Sequence, residues 1–281
     1  MKPAAFAYAK AMSLDHVFDL AEGHGEDARI LAGGQSLIAS LNMRLSAPAL
    51  LIDINGLHDL AEIAVDGDFL RIGALARHAM VARSALVAEH APLIAKAMPS
   101  IAHAAIRNRG TFGGSIAFAD PAAELPACVV ALEAEIEIAS RGGRRRVAAT
   151  SFFKDLYETD LAPDEVLTAV YIPLTGNEGR AGFSEISRRH GDYAIAGLAA
   201  SARAEGDRLS DIRLAFFGVG ATPIRAKSAE AALVQGSLDD AVAALGSDLD
   251  PPDDVDTDGA TRLHLSRVLL RRVVAGMQGG C

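Results

Sequence analysis

The sequence predicts an α+β fold of three successive units, and three observations carry that expectation. Helix-like stretches and short apolar runs alternate up to about residue 56. Alternating segments paired around tight turns, the signature of hairpins, then recur across 57–175, and 176–281 joins a long hairpin to helix-like sequence. The hairpins exclude a purely doubly wound parallel sheet, and no period of the solenoid type is present. At 281 residues with half of them hydrophobic, the chain can bury a substantial core.

In the first unit, 1–56, Ser13 is placed to cap a helix whose apolar positions Leu14, Val17, Phe18 and Ala21 fall at helical spacing. Gly23 and Gly25 supply its stop. The stretch 28–31 (ARIL) reads as a short strand, 36–45 (SLIASLNMRL) as a second helix, and 49–54 (ALLIDI), by its apolar run, as a buried strand. In the second unit, 57–175, two alternating runs flank Asp66–Gly67, a strong hairpin signal. Residues 78–106 read as helical with breaks near Pro92 and Pro99. After the glycine-rich 108–115 (NRGTFGGS), Asp120 and Pro121 suit the N-cap and first position of a helix through 121–133 (PAAELPACVVALE). The segments 134–140 and 145–150 form another hairpin, and 165–174 (EVLTAVYIPL) a further strand.

The glycine-rich, polar 175–183 (TGNEGRAGF) reads as a linker into the third unit, 176–281. There, 193–204 and 209–220 bracket Glu205–Gly206–Asp207 as a long hairpin, followed by helix-like 223–236. Six aspartates between 248 and 258 share their stretch with Pro251 and Pro252, which reads as a solvated loop. It feeds a last helix over 261–274, in which Leu265, Val268, Leu269 and Val273 share a face and Arg271 and Arg272 suit the C-terminal end.

Composition narrows the function. A net charge of -9 argues against a nucleic-acid partner, which selects for a basic face. The basic run 140–147 (SRGGRRRV) straddles a Gly-Gly between alternating segments and reads as a solvated hairpin tip. Of the two cysteines, Cys128 and Cys281, neither has a Cys or His at metal-ligand spacing, so this chain alone cannot hold a cysteine-ligated iron–sulfur cluster. Cys128 reads as a buried, inert thiol. The eight histidines contain no H-x-x-x-H pair, which leaves no zinc signature. Polar breaks early in the N-terminal stretch and the lack of any long apolar window point to a cytoplasmic, soluble chain with no membrane insertion.

Two glycine pairs remain. Gly33–Gly34 follows ARIL and Gly113–Gly114 follows AIRNRGTF, each before a helical stretch and each trailed by a hydroxyl residue, Ser36 or Ser115. Bare backbone amides at such junctions can approach a phosphate closely, and a helix start adds a favourable dipole. A structural turn explains either pair equally well. Neither matches G-x-x-x-x-G-K-[ST], for want of the lysine, and no G-x-G-x-x-G follows a strand, so the P-loop and dinucleotide-fold patterns both fail.

Taken together, 31–45 (LAGGQSLIASLNMRL) and 106–132 (IRNRGTFGGSIAFADPAAELPACVVAL) resemble the FAD-binding medium subunit of the molybdenum-containing hydroxylases, the group of carbon monoxide dehydrogenase and bacterial relatives of xanthine dehydrogenase. The resemblance runs essentially through the whole chain, including 187–196 (SRRHGDYAIA) and the helix 262–274. It implies the fold of p-cresol methylhydroxylase and vanillyl-alcohol oxidase: two α/β subdomains, here 1–56 and 57–175, clasp a non-covalent FAD, and a C-terminal α+β domain, 176–281, covers part of the flavin. It further implies that Ala32, Gly33, Gly34, Gln35 and Ser36 wrap the FAD pyrophosphate from one side and Thr111, Gly113, Gly114 and Ser115 from the other. Asp120 would sit near the ribityl chain and ring edge, Leu167 on the adenine side and Tyr193 close to the isoalloxazine. Read without the resemblance, Asp120 is an N-cap, Leu167 and Tyr193 are core, and Arg188 and Arg189 are solvated. The sequence departs from many relatives in carrying Gln35 where they have His and Ser115 where they have Asn, which bears on flavin tuning more than on binding.

The family's division of labour also accounts for the lack of a catalytic constellation. The resemblance implies an oxidoreductase subunit that takes electrons from the [2Fe-2S] clusters of a small partner subunit and hands them through FAD to an external acceptor. A large partner subunit would hold the molybdenum cofactor and oxidise substrate, in a dimer of heterotrimers. The alternative is a self-sufficient FAD-dependent oxidase or reductase of the same fold superfamily, which needs a substrate pocket and a proton donor of its own.

Overall fold

The computed structural model describes residues 2–174, 176, 179–205 and 208–278. The first elements are β1 (Ala7–Lys10), α1 (Leu14–Glu22), β2 (Ala28–Leu31), α2 (Leu37–Asn42) and β3 (Leu50–Asp53). The strands form a small parallel sheet in the order β1-β3-β2. The middle strand β3 is the buried one, as its run of Leu50, Leu51 and Ile52 requires of a strand covered on both faces. Ser13 caps α1 by accepting from the His16 amide at 3.1 Å, and Val17, Phe18 and Ala21 face the sheet. Strand β1 has no counterpart in the sequence reading; AYAK has no alternation that survives its partly exposed pairing with β3.

Next come β4 (Ile63–Asp66), β5 (Phe69–Gly73), α3 (His78–Val81), α4 (Ala85–His90), α5 (Pro92–Ala97), α6 (Ala104–Arg107), α7 (Phe112–Phe118) and α8 (Glu124–Ala131). They are followed by β6 (Glu135–Ser140), β7 (Gly143–Ala148), α9 (Ala149–Phe152), β8 (Phe153–Asp155), β9 (Glu158–Thr159) and β10 (Val166–Pro173). Five of these strands make an antiparallel sheet, β4-β5-β10-β6-β7. Gly67 turns the first hairpin at φ 57°, as the Asp-Gly pair predicts. Helix α8 is buried on every side, because it lies between this sheet's core and the next. Cys128 sits in its middle with its thiol pushed well up by burial, an inert form.

The last elements are β11 (Gly179–Ser187), β12 (Ala194–Glu205), β13 (Arg208–Phe217), β14 (Ile224–Arg225), α10 (Lys227–Val234), α11 (Leu238–Asp248) and α12 (Gly259–Gln278). The strands pair in order as an antiparallel sheet, with α12 across one face and α8 on the other. The Ser201 hydroxyl fixes α8 there, donating to the Ala131 carbonyl at 2.6 Å.

Several expectations are corrected. The supposed linker 175–183 is already strand from Gly179 onward, because Ala181 and Phe183 have a core to bury against; Thr175, Asn177 and Glu178 lie outside the described residues. Gly206 and Asp207 of the long hairpin's turn, and Cys281, also lie outside them. Asp120 is not the N-cap of α8: that helix starts at Glu124, and Asp120 closes a tighter turn by accepting from the Ala122 amide at 2.9 Å. Gly113 and Gly114 are not in a loop but in the first turn of α7. Arg271 and Arg272 lie mid-helix, since α12 runs on to Gln278, and Arg271 pairs with Asp239. The basic run at the β6–β7 hairpin is not merely solvated: Arg141 meets Asp19, Arg144 meets Glu137, Arg145 meets Asp160 and Glu165, and Arg146 stacks on Tyr171. The Asp-rich loop is likewise held, with Asp254 on Arg262 and Asp253 accepting from the Gly259 amide.

Candidate functional site

A cleft of about 580 Å³ opens where the β2–α2 turn, the entry to α7, the α7–α8 connection and the β11–β12 turn converge. Ala32, Gly33, Gly34, Gln35, Ser36, Thr111, Gly114, Ser115, Asp120 and Tyr193 all line it, although they come from three widely separated parts of the chain. Gly113 and Leu167 do not. Gly113 is buried against Ala74, and Leu167, in β10, packs into the central core.

The first glycine pair is an open turn. Gly34 has φ 72°, a left-handed conformation that a side chain strains. A Cβ on Gly33 would stand 2.5 Å from the Arg109 carbonyl oxygen and 2.8 Å from the Gly110 Cα, so this glycine lets the two segments touch. Among the described residues, the amides of Gly33, Gly34, Gln35 and Ser36 have no hydrogen-bond acceptor. The turn is braced from behind. Asn55 donates to the Ala32 carbonyl at 2.8 Å, and Arg77 reaches both Asn55 Oδ1, at 2.6 Å, and the Arg109 carbonyl.

The second pair is closed. The Gly113 amide donates to the Ala74 carbonyl at 2.9 Å, the Gly114 amide to Thr111 Oγ1 at 3.2 Å, and the Ser115 amide to the Thr111 carbonyl at 3.1 Å. What faces the cleft here is the bare Gly114 Cα and the side of Ser115. His78 lines the cleft with them, its Nε2–H donating to the Thr111 carbonyl at 2.9 Å. Burial pushes its pKa down to about 4, and the charges of Arg107 and Arg77 act in the same direction. The ring is therefore neutral, with Nδ1 an enclosed acceptor that has no partner among the described residues. Sequence reading missed His78, as an isolated histidine carries no motif.

The opposite end is acidic and aromatic. Ala119, at φ 53°, turns the chain out of α7 and brings Asp120 into the cleft beside Tyr157. Burial raises the Asp120 pKa; its bonds to the Ala122 amide and Tyr157 hydroxyl oppose that. Tyr157 packs against Phe118 with ring centroids 5.1 Å apart, while Tyr193 is 69% exposed at the rim and so is not the core aromatic that an isolated reading allows. Glu124, also missed because it lies inside a predicted helix with no motif to mark it, lines this end. Burial drives its carboxyl up to about 8, with the Glu185 and Asp120 charges adding to the effect.

The cleft fits an elongated dinucleotide cofactor. Its volume is in the range of small-molecule sites, its open amides match anionic oxygens without a neutralising cation, and its far end offers aromatic and carboxyl groups to a planar ring. Among the described residues, no group of His, Cys, Asp or Glu is arranged to hold a metal, and no helix is long and apolar enough to cross a membrane.

Residues 4–175 match the family of the FAD-binding domain in molybdopterin dehydrogenase, and 181–277 match the CO dehydrogenase flavoprotein C-terminal domain. The chain is 39% identical to the 6-hydroxypseudooxynicotine dehydrogenase complex subunit alpha of Paenarthrobacter nicotinovorans, covering 98% of this chain and 95% of that one. It is 31% identical to the carbon monoxide dehydrogenase medium chain of Hydrogenophaga pseudoflava over the full length of both. A solved structure of carbon monoxide dehydrogenase from that organism superposes with a TM-score of 0.96 at 33% identity, again covering 100% of each chain.

Proposed function

The chain belongs to the FAD-binding subunits of the molybdopterin dehydrogenases, and we propose that the cleft described above is where it holds FAD. It is the FAD-carrying, electron-transferring component of an oxidoreductase and has the p-cresol methylhydroxylase type of FAD-binding fold. In this reading the open amides of Gly33, Gly34, Gln35 and Ser36 hold the pyrophosphate, with Ala32 as the strand end that aims them. Thr111, Gly114 and Ser115 close the opposite wall, and Gly113 serves by letting α7 press against Ala74. Asp120 and Tyr193 flank the flavin end. Leu167 contributes from the core beneath the sheet and not by lining the cleft. The divisions 1–56 and 57–175 are the two FAD-clasping subdomains, and 176–281 is the C-terminal domain.

Bound FAD supplies a redox centre that accepts electrons singly and releases them singly or in pairs. The protein's residues bind it, orient it and exclude water. A phosphate held by amides needs no lysine or arginine at the contact, and Arg77, outside the cleft lining, braces the turn through Asn55. Large and small partner subunits, holding the molybdenum cofactor and [2Fe-2S] clusters, complete the complex as a cytoplasmic dimer of heterotrimers; these relatives are called medium chains or complex subunits.

The observation that carries this reading is the meeting of two distant glycine segments, Gly33 against Arg109 and Gly110, on the lining of one cleft where the amides of Gly33 to Ser36 have no acceptor among the described residues. The purified chain should show a flavin absorption spectrum and release FAD on denaturation, while oxidising no substrate without its partner subunits. A chain that stays colourless after incubation with excess FAD contradicts the site; substrate turnover by the lone chain contradicts the division of labour.

A further inference from the structure

Electrons that reach a flavin from an iron–sulfur donor arrive without protons, yet full reduction of the ring to its neutral form requires two. The cleft holds a group suited to supply one. Glu124 lines the end assigned to the flavin, at the start of α8, and no cation among the described residues pairs with it. One turn along the same helix face lies Cys128, whose thiol responds to both Glu124 and Glu185. Glu185 comes from β11, on the strand face that carries Ala181 and Phe183 toward the central core, whereas Gly182 and Ile186 face α12 and the last core. Its Oε2 is fully enclosed and has no hydrogen-bond partner among the described residues.

We propose that Glu124 is the proton-holding residue of the cleft, giving its proton to the bound flavin on reduction. The proposal rests on the FAD reading above. In the step, the Glu124 O–H bond breaks, the bonding pair stays on the carboxylate, and the proton passes to the flavin ring as it receives electrons from a one-electron iron–sulfur donor. Solvent provides the second proton. The groups that bear on Glu124 are Asp120 and Glu185 by charge, and Tyr193, which responds to both Glu124 and Asp120. Tyr157 stands beside Asp120. Burial holds Glu124 protonated up to about pH 8, so it carries a proton where the flavin takes one up.

The test is potentiometric, on the full chain loaded with FAD. Loading is read first from the flavin absorption band, so that failure to bind counts against the FAD site and leaves this inference separate. The flavin midpoint potential of the unmodified chain should fall more steeply with pH above about 8, by one extra proton per electron pair, because below that pH Glu124 supplies one of the two protons and above it both come from solvent. Glu124→Gln should abolish that steepening, Glu124→Asp should keep it, and Glu185→Gln should move it to lower pH. Superimposable slopes for the unmodified chain and Glu124→Gln overturn the proposal. If Glu124→Gln does not hold FAD, infrared difference spectra of the unmodified chain decide. A protonated-carboxyl band that changes on reduction and is displaced in Glu185→Gln supports the proposal, and no change in any carboxyl band overturns it.

Discussion

Gly33–Gly34 and Gly113–Gly114 look like copies of one device in the sequence, and the structure uses them for different ends. The first pair presents amides: Gly34 takes a left-handed φ of 72°, the turn stays outside any helix, and its N–H groups have no acceptor among the described residues. The second pair saves space. Its amides are already spent on Ala74 and Thr111, and its lack of side chains lets α7 lie against the end of β5. A glycine pair beside a binding cleft is therefore not by itself a sign of amide recognition. The deciding observation is where each N–H goes.

The sharpest way to break this distinction is to add one methyl group to each pair. In Gly113→Ala the new Cβ would stand 2.5 Å from Ala74 Cβ, 2.6 Å from its Cα and 2.9 Å from its carbonyl oxygen, so backbone must move. We expect a loss of about 3 kcal/mol in urea unfolding of the cofactor-free chain, at the upper end of overpacking costs. An unfolding midpoint equal to that of the unmodified chain would show that the second pair is not a packing device.

The next largest effect is a pH dependence tied to the second segment alone, through His78 and its bond to the Thr111 carbonyl. The folded pKa of about 4 lies below the ordinary 6.5, so the unfolded chain binds the proton more readily. The neutral ring's contribution is whole above pH 6.5 and is lost as pH falls toward 4, a swing of about 3 kcal/mol at 1.36 kcal/mol per unit. Unfolding free energies measured across that range should fall in the unmodified chain more steeply than in His78→Gln. Parallel curves would mean that the ring is hydrated or otherwise able to charge in place.

The same contrast explains how much of the molecule is legible in the sequence. Elements whose signals are local can be read: Ser13 three residues before the amide it accepts from, Gly67 in its two-residue turn, Leu50 to Ile52 as a buried run. Ten cleft residues can also be named, because the two long motifs that carry the family resemblance and the segment 187–196 are the ones that fold onto the cleft. Long-range chemistry cannot. Whether Gly113 presents an amide or fits against Ala74 depends on the end of β5, far earlier in the chain. Strand β1 exists only because β3 offers it an edge. The glycines that make 175–183 read as a linker hide β11, whose burial needs α5 and α12 in place. Glu124 and His78 escape notice for the same reason, since each owes its altered proton affinity to burial by distant segments.

Gly34→Ala should separate binding from stability. Its Cβ would meet only side-chain atoms, Ile38 Cγ1 at 3.1 Å and Leu31 Cδ1 at 3.2 Å, which can yield, leaving a left-handed strain of about 1–2 kcal/mol. That is less than the expected cost at Gly113, yet the affinity for FAD should drop about tenfold, or ~1.4 kcal/mol, because the turn that aims the amides is the part disturbed. Fluorescence titration of FAD against both variants, each scaled by its own stability, checks this. If Gly34→Ala binds FAD as tightly as the unmodified chain, the amides of this turn are not the phosphate cradle.

The smallest effect tests what the closed pair still offers a ligand. With the amides of Gly113, Gly114 and Ser115 engaged, the Ser115 hydroxyl is the polar donor this wall has left to turn toward the cleft, whereas Ser36 stands beside amides that remain free. Ser115→Ala should therefore weaken FAD by about fivefold, the ~1 kcal/mol of one hydrogen bond. Ser36→Ala should cost less, since neighbouring N–H groups can take over its contact. Neither variant forces a clash as Gly113→Ala does, so unfolding midpoints should barely move. The order of the two affinities is the informative quantity: a larger loss at Ser36 than at Ser115 would mean that hydroxyls, and not amides, carry the first wall, and the contrast between the two glycine pairs would then hold for packing but not for recognition.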